Sequence, residues 1–312
     1  MARFNYGGQA LIEGVLMRGR DAIAVAFRHP DGHIVWASEA LTSGPHGWRF
    51  ATAPLVRGLV VLYETLVVGT RWLIRSANVQ AEEDDAEIGR GTIALMLGIV
   101  AVVGIGIFFV VPLFLAQAVT GNSGSWFQHL VEGLVKVALF LGYLAVIART
   151  PDIRRVFQYH GAEHMTIHAL ESGDPLTTAN VRRYPTAHPR CGTEFLVVLV
   201  ALSIVAFAMI GKQPLAIGAV TRVVLIPVLA AVGYEVLRWG AKHRANSIVK
   251  AIMWPGILVQ MITTKQPSDD QIEVAIVSME QALAADGETV PEGSDMPERS
   301  PLDPIEPAAA TA

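Results

Sequence analysis

The sequence holds a single cysteine, Cys191, among 312 residues. One thiol rules out an internal disulfide framework and a Cys-rich zinc knuckle. Charge is scarce: 17% of residues are Asp, Glu, Lys or Arg, against 52% hydrophobic. That balance, with a mean hydropathy of +0.42, is too apolar for an ordinary soluble domain and indicates an integral membrane protein. A basic excess is lacking as well. The net charge is −4 and the isoelectric point about 6.1, so no global positive field invites nucleic acid. Residues 1–8 contain no apolar signal core, so membrane insertion is expected from internal segments. No internal repeat is evident.

The apolar residues fall into long blocks. Residues 92–119 form an uncharged run easily long enough to cross a bilayer. Residues 127–148 form a second, with Glu132 and Lys136 spaced as an i,i+4 pair near its start. A third covers 195–211, and a less clean fourth covers 223–238, with Arg222 at its entrance and Glu235 near its exit. Loops at 120–126 and 211–222 are poor in Lys and Arg, while most other basic residues fall on the opposite side. The positive-inside bias then places both termini and the 149–194 loop in the cytoplasm, at the inner (plasma) membrane.

The remaining segments organise around these spans. Residues 1–53 read as a small cytoplasmic unit. Its glycine-punctuated run 7–19 precedes two β-rich stretches around Pro30-Asp31-Gly32, a hairpin signal. Residues 54–91 read as a helix followed by an acidic linker. Leu55, Leu59, Leu62, Leu66 and Leu73 share a face of that helix, but Arg57, Glu64, Arg71 and Arg75 argue against a span. Spans one and two occupy 92–148, a cytoplasmic loop and helix 149–194, and spans three and four 195–240. Residues 241–284 supply cytoplasmic or interfacial helices, including a Pro255-Gly256 break and a capping-box start at Ser268. The Pro-, Ala- and Glu-rich tail 285–312 is expected to be disordered. The expected fold is therefore mainly α: a polytopic helical membrane protein with about four transmembrane helices and a small N-terminal unit containing a β-hairpin.

Chemistry concentrates in the 149–194 loop. Thr150-Pro151-Asp152 is a helix-start signal and Gly173-Asp174-Pro175 a stop. Between them lies His160-Gly161-Ala162-Glu163-His164. Residues four apart on a helix share a face, so His160 and His164 present two imidazoles side by side, flanked by Glu163. His-x-x-Glu-His is the reversed zinc-peptidase signature. A second cluster, His188-Pro189-Arg190-Cys191, follows at loop distance. Zinc takes imidazole and thiolate in tetrahedral order and leaves one position for water at a catalytic site. A divalent metal, zinc by donor type, is therefore expected on His160 and His164. The third ligand is His188, Cys191 or Glu235, in that order of preference. Glu163 suits a base better than a ligand. Arg190 could hold an anionic group of the substrate or pair with Glu163, and Glu13 and Arg18 could close over the site. Plainer readings exist for each: interfacial histidines, a buried inert thiol, an ordinary Glu235–Arg238 pair, and His168 as a solvated residue continuing the same helix face.

The run 7–19, the stretch Arg155 through His164, the run His188 through Thr193, Tyr234-Glu235 and Pro255-Gly256…Gln260…Thr263-Thr264 together resemble the YqhQ-type family of bacterial membrane proteins, over about residues 3–284. The family is described as predicted metal-dependent enzymes of unknown function. The resemblance implies roles for Glu13, Arg18, His160, Glu163, His164, His188, Arg190, Cys191 and Glu235. Met165, Glu194 and His168 depart from the family pattern.

Two readings follow. One is a membrane hydrolase activating water at a cytoplasm-facing metal, on a peptide, lipid or other amphiphile. The other is an assembly or scaffold protein with membrane-protein partners and a structural metal or none. A transporter is weaker, because the ionisable residues gather at one side. A reporter fused after Gly173 is expected to read cytoplasmic; an external signal would overturn the orientation.

Overall fold

The computed structural model describes residues 6–41, 48–81, 90–121, 125–188, 191–211, 213–243 and 246–302. The acidic linker, Arg190, Lys212, Arg244 and residues 303–312 lie outside them. The chain is mainly helical, with one five-stranded sheet.

Strands β1 (Gly7–Leu11), β2 (Gly14–Arg18), β3 (Ala22–Arg28) and β4 (Ile34–Ala40) form an antiparallel meander. The Pro30-Asp31-Gly32 turn joins β3 to β4, with Gly32 at φ 99°. Ile12-Glu13 joins β1 to β2, and Glu13, the second of the two, takes a positive φ of 54°, the type II pattern. That first hairpin was hidden in the sequence, because its glycines interrupt the alternation of side chains. Strand β5 (Arg299–Pro301) adds parallel to β4.

Three helices sandwich the sheet: α1 (Val56–Ala81), α5 (Pro151–Ser172) and α11 (Asp269–Ala285). Strand side chains alternate between two faces. Val15, Met17, Ala24 and Ala26 meet α5 and α11, whereas Leu16, Ile23, Val25 and Phe27 meet Trp72 and Val79 of α1. Each large side chain fully buried this way contributes about 1.5–3 kcal/mol. Helix α1 packs inward on a side other than most of its leucine row. It buries Gly58, Val60, Glu64, Gly69, Trp72 and Ser76, while Leu55, Leu59 and Leu66 stay exposed. Two partners set that side: Trp72 and Val79 pack on the sheet, and Gly58 lies against Tyr234 of α9.

A single helical turn, α6 (Thr178–Val181), follows α5. The apolar helices are α2 (Arg90–Ile105), α3 (Val111–Thr120), α4 (Ser125–Ile147), α7 (Gly192–Ile210), α8 (Leu215–Val224), α9 (Ile226–Lys242) and α10 (Ser247–Thr263). A π-helical turn, Gly106–Val110, joins α2 to α3 just ahead of Pro112, whose ring crowds the preceding turn. Among the described residues three helices, Ala94–Thr120, Trp126–Ile147 and Gly192–Ile210, are long and apolar enough to cross a membrane. A fourth span exists if the bent pair α8–α9 counts as one. That pair begins earlier than the sequence pattern indicated and turns by 44° at Leu225, two residues before Pro227. Arg222 of α8 binds Glu132 of α4 at 2.7 Å, and Lys136 joins the same carboxylate at 3.0 Å. All three are buried. Pro255 sits inside α10 without ending it.

Thr150, Gly173 and Ser268 bound their helices as the sequence signals require, Gly173 in the left-handed conformation and Ser268 in a full capping box. The tail differs from expectation up to residue 302. Asp286 accepts hydrogen bonds from Tyr6 Oη (3.0 Å), Arg20 N–H (2.6 Å) and Asp21 N–H (3.0 Å). Asp295 N–H donates to Leu176 O, and Leu302 N–H to Trp36 O. An open strand edge and these acceptors overcome a polar composition. Asp286→Ala should cost about 1–3 kcal/mol, read from unfolding of the full chain in detergent. An unchanged midpoint would mean that the tail contributes nothing.

Candidate metal centre

Helix α5 carries the centre. Its face from Gly161 to Ile167 is buried against the sheet, the loop residues 184–188 and the end of α10. A side chain at Gly161 would strike Lys265 O. The His160 and His164 rings sit 4.4 Å apart at 61°. Each is oriented by a backbone carbonyl: His160 Nδ1 lies 2.9 Å from Thr263 O, and His164 Nδ1 lies 2.6 Å from Thr186 O. A carbonyl only accepts, so both Nδ1 atoms donate, and in the neutral ring the lone pair resides on Nε2. Both Nε2 atoms lie 3.9 Å from Glu163 Oε2.

Cys191 arrives from the other side. It forms the N-cap of α7, and its Sγ lies 3.2 Å from His160 Nε2 and 3.1 Å from Thr193 Oγ1. One donor atom each from His160, His164 and Cys191 falls within 4.8 Å of the others. A cavity of about 30 Å³ lies among them, roofed by Tyr6 and Gly8 of the sheet. Such a space admits about one or two water-sized bodies. A side chain on Gly8 would come within 2.9 Å of Glu163.

Residues 53–285 match a family described as "Protein of unknown function (DUF1385)". The chain is 32% identical over 292 residues to the "Uncharacterized protein YqhQ" of Bacillus subtilis (strain 168), which covers 89% of this chain and 92% of that protein. The chain belongs to this family. No solved structure matches it.

The family's motif residues divide into two groups. His160, Glu163, His164 and Cys191 converge, with His188 beside them. Glu235 does not join them: both its oxygens engage Arg57, and it accepts from Leu55 N–H, where α1 meets α9. Glu13 instead pairs with Arg155 and receives Tyr159 Oη. Arg18 pairs with Glu64. Arg190 lies outside the described residues. His188 is clamped by Gln260, which accepts its N–H at 2.8 Å and donates to its carbonyl at 2.9 Å. Its ring, 5.7 Å from His164, turns towards Glu171 and His168. Gly8, Thr186, Gln260 and Thr263 escaped sequence reasoning. Gln260 and Thr263 were visible only as family motif letters without a role.

The donors suit a cation. Glu163 is buried and its Oε2 has no hydrogen-bond partner among the described residues. Burial, with Cys191 adding and His160 and the Gly8 N–H opposing, raises its pKa to about 8. Burial, then the neighbouring His160, holds His164 well below the usual imidazole range, so it is neutral at pH 7. Burial pushes the Cys191 thiol up to about 11. A cation would offset all of these costs and displace the protons.

In the metal-free protein Glu163 keeps its proton from its ordinary 4.5 up to about 8. Its native-state contribution is then complete below the lower value and lost as pH rises to the upper one. Chelator-treated wild type should lose thermal stability across that window relative to Glu163→Gln. Parallel pH profiles for the two proteins would refute the burial argument.

Proposed function

We propose that this is a multi-pass membrane protein with a cytoplasm-facing centre for a divalent cation, zinc by donor type, and that it is a hydrolase. The observation that carries the reading is the convergence of two oriented Nε2 lone pairs and one thiol on a buried carboxylate oxygen without a partner. His160, His164 and Cys191 are the ligands in this reading. A zinc ion bound there would supply Lewis acidity and a water acidic near neutrality. Glu163 Oε2, set between the two Nε2 atoms, would be the residue placed to exchange protons with such a water. Gly8 N–H holds the carboxylate in place. Cys191 caps α7, so the centre adjoins an apolar helix, which supports an amphiphile, lipid or membrane-borne peptide as substrate.

A structural metal in a scaffold protein is the second reading. The small cavity favours it, because a substrate would require the Tyr6–Gly8 segment to lift.

Metal content of the full-length protein in detergent tests the ligands. His160→Ala and Cys191→Ser should each abolish one bound equivalent, and Glu163→Gln should retain it. The assignment fails if neither ligand substitution lowers occupancy. Cobalt in place of zinc separates the two readings. Azide should change its visible spectrum if a coordination position is open, and an azide-insensitive spectrum favours the scaffold.

A further inference from the structure

Helix α5 extends the row of imidazoles by one more turn. His168 follows His164 by four residues, and Glu171 follows His168 by three, so both stand on one side of the helix. His188 faces them from the loop. Its Nε2 lies 3.4 Å from Glu171 Oε2, and its ring centre is 4.4 Å from that of His168. One donor atom from each of the three falls within 4.8 Å of the others. We propose that His168, Glu171 and His188 form a second site, for a late first-row divalent cation, beside the first.

Chemistry and placement both support it. Two imidazoles and one carboxylate, with coordination positions left over, are a common donor set for zinc, iron(II) and cobalt. His168 is oriented as ligating histidines are: Nε2 lies 3.0 Å from Ala187 O, and its ring stacks on Tyr184 at 6.0 Å and 8°. Ala187 O and Thr186 O are consecutive carbonyls, so one stretch of loop orients a ring in each cluster. His188 is held by its backbone clamp and is 3% exposed in its side chain, whereas Glu171 is 37% exposed. The second site therefore opens to solvent where the first is closed. No ligand is shared with His160, His164 and Cys191, so neither site requires the other. The sulfur-free donor set also gives it a different spectrum.

Full-length protein in detergent, stripped by chelator and titrated with Co2+, tests this. Two equivalents are expected. One carries a thiolate charge-transfer band and disappears in Cys191→Ser. The other lacks that band and survives Cys191→Ser. Glu171→Gln and His168→Gln should weaken the second equivalent at least about tenfold, the loss already produced by removing an outer hydrogen-bond partner. They should leave the thiolate band intact. An unchanged metal-free melting midpoint shows that both variants are folded. A single equivalent in wild type carrying the thiolate band, no binding at all, or a second equivalent indifferent to both substitutions would overturn the proposal and leave Glu171–His188 a plain ion pair. A band-free equivalent that falls with Glu171→Gln, with no thiolate band in wild type, would uphold this site and sink the first.

Discussion

Two carbonyl oxygens decide what the imidazoles present. Thr263 O and Thr186 O each take one ring proton, and the opposite nitrogens then turn towards Glu163. The last turn of a helix has carbonyls without intrahelical partners. Thr263 ends α10, so its oxygen is available because the helix stops there. Gln260, one turn earlier, places His188 by the same means: a side chain replaces a missing backbone partner. The centre thus depends less on α5 than on α10 ending opposite it. Gly161 permits that approach, since its missing side chain leaves room for Lys265 O.

The sheet performs the matching task on the opposite side. Small residues Ala24 and Ala26 let α11 lie close, and Ser278 Oγ donates to Val15 O and Ala24 O at 3.1 and 3.2 Å. Helix α5 is then pressed between sheet and loop, which is why Glu163 is dry. Among the apolar helices, Arg222 and Glu132 act as a staple between α8 and α4. Removing Glu132 would strand Arg222 and Lys136 in an apolar setting, which costs more than the pairing itself contributes.

Local signals were legible. Thr150, Pro151 and Gly173 bounded α5; Ser268 began α11; Pro30-Asp31-Gly32 marked a turn. Each acts on neighbours within a few residues. The apolar runs were legible for the same reason, since length and local composition decide whether a helix can span. Features made by distant partners were not. Strand β5 has a polar, proline-bearing sequence and exists only because β4 has an open edge. The buried side of α1 is set by Phe27 and Val25 of the sheet and by Tyr234 of α9, all distant in sequence. Glu132 read as a partner of Lys136, yet Arg222 reaches it from 90 positions away. At the centre, the helical period was enough to pair His160 with His164. The order of preference for the third position, His188 before Cys191 and Glu235, is not the order of proximity. Cys191 lies nearest the pair, because proximity depends on where α7, the loop and α9 come to rest.

The sheet and the helices α5 and α11 on one of its faces are drawn from 7–40, 151–172, 269–285 and 299–301, and the apolar helices α2–α4 and α7–α10 lie between those pieces. Ribosomal synthesis delivers the pieces in that order. A nascent chain halted before residue 263 carries both imidazoles and the thiol, yet lacks the carbonyl that selects the tautomer of one ring. The contact that fixes the His160 tautomer is therefore completed late in synthesis, after the apolar helices have been made.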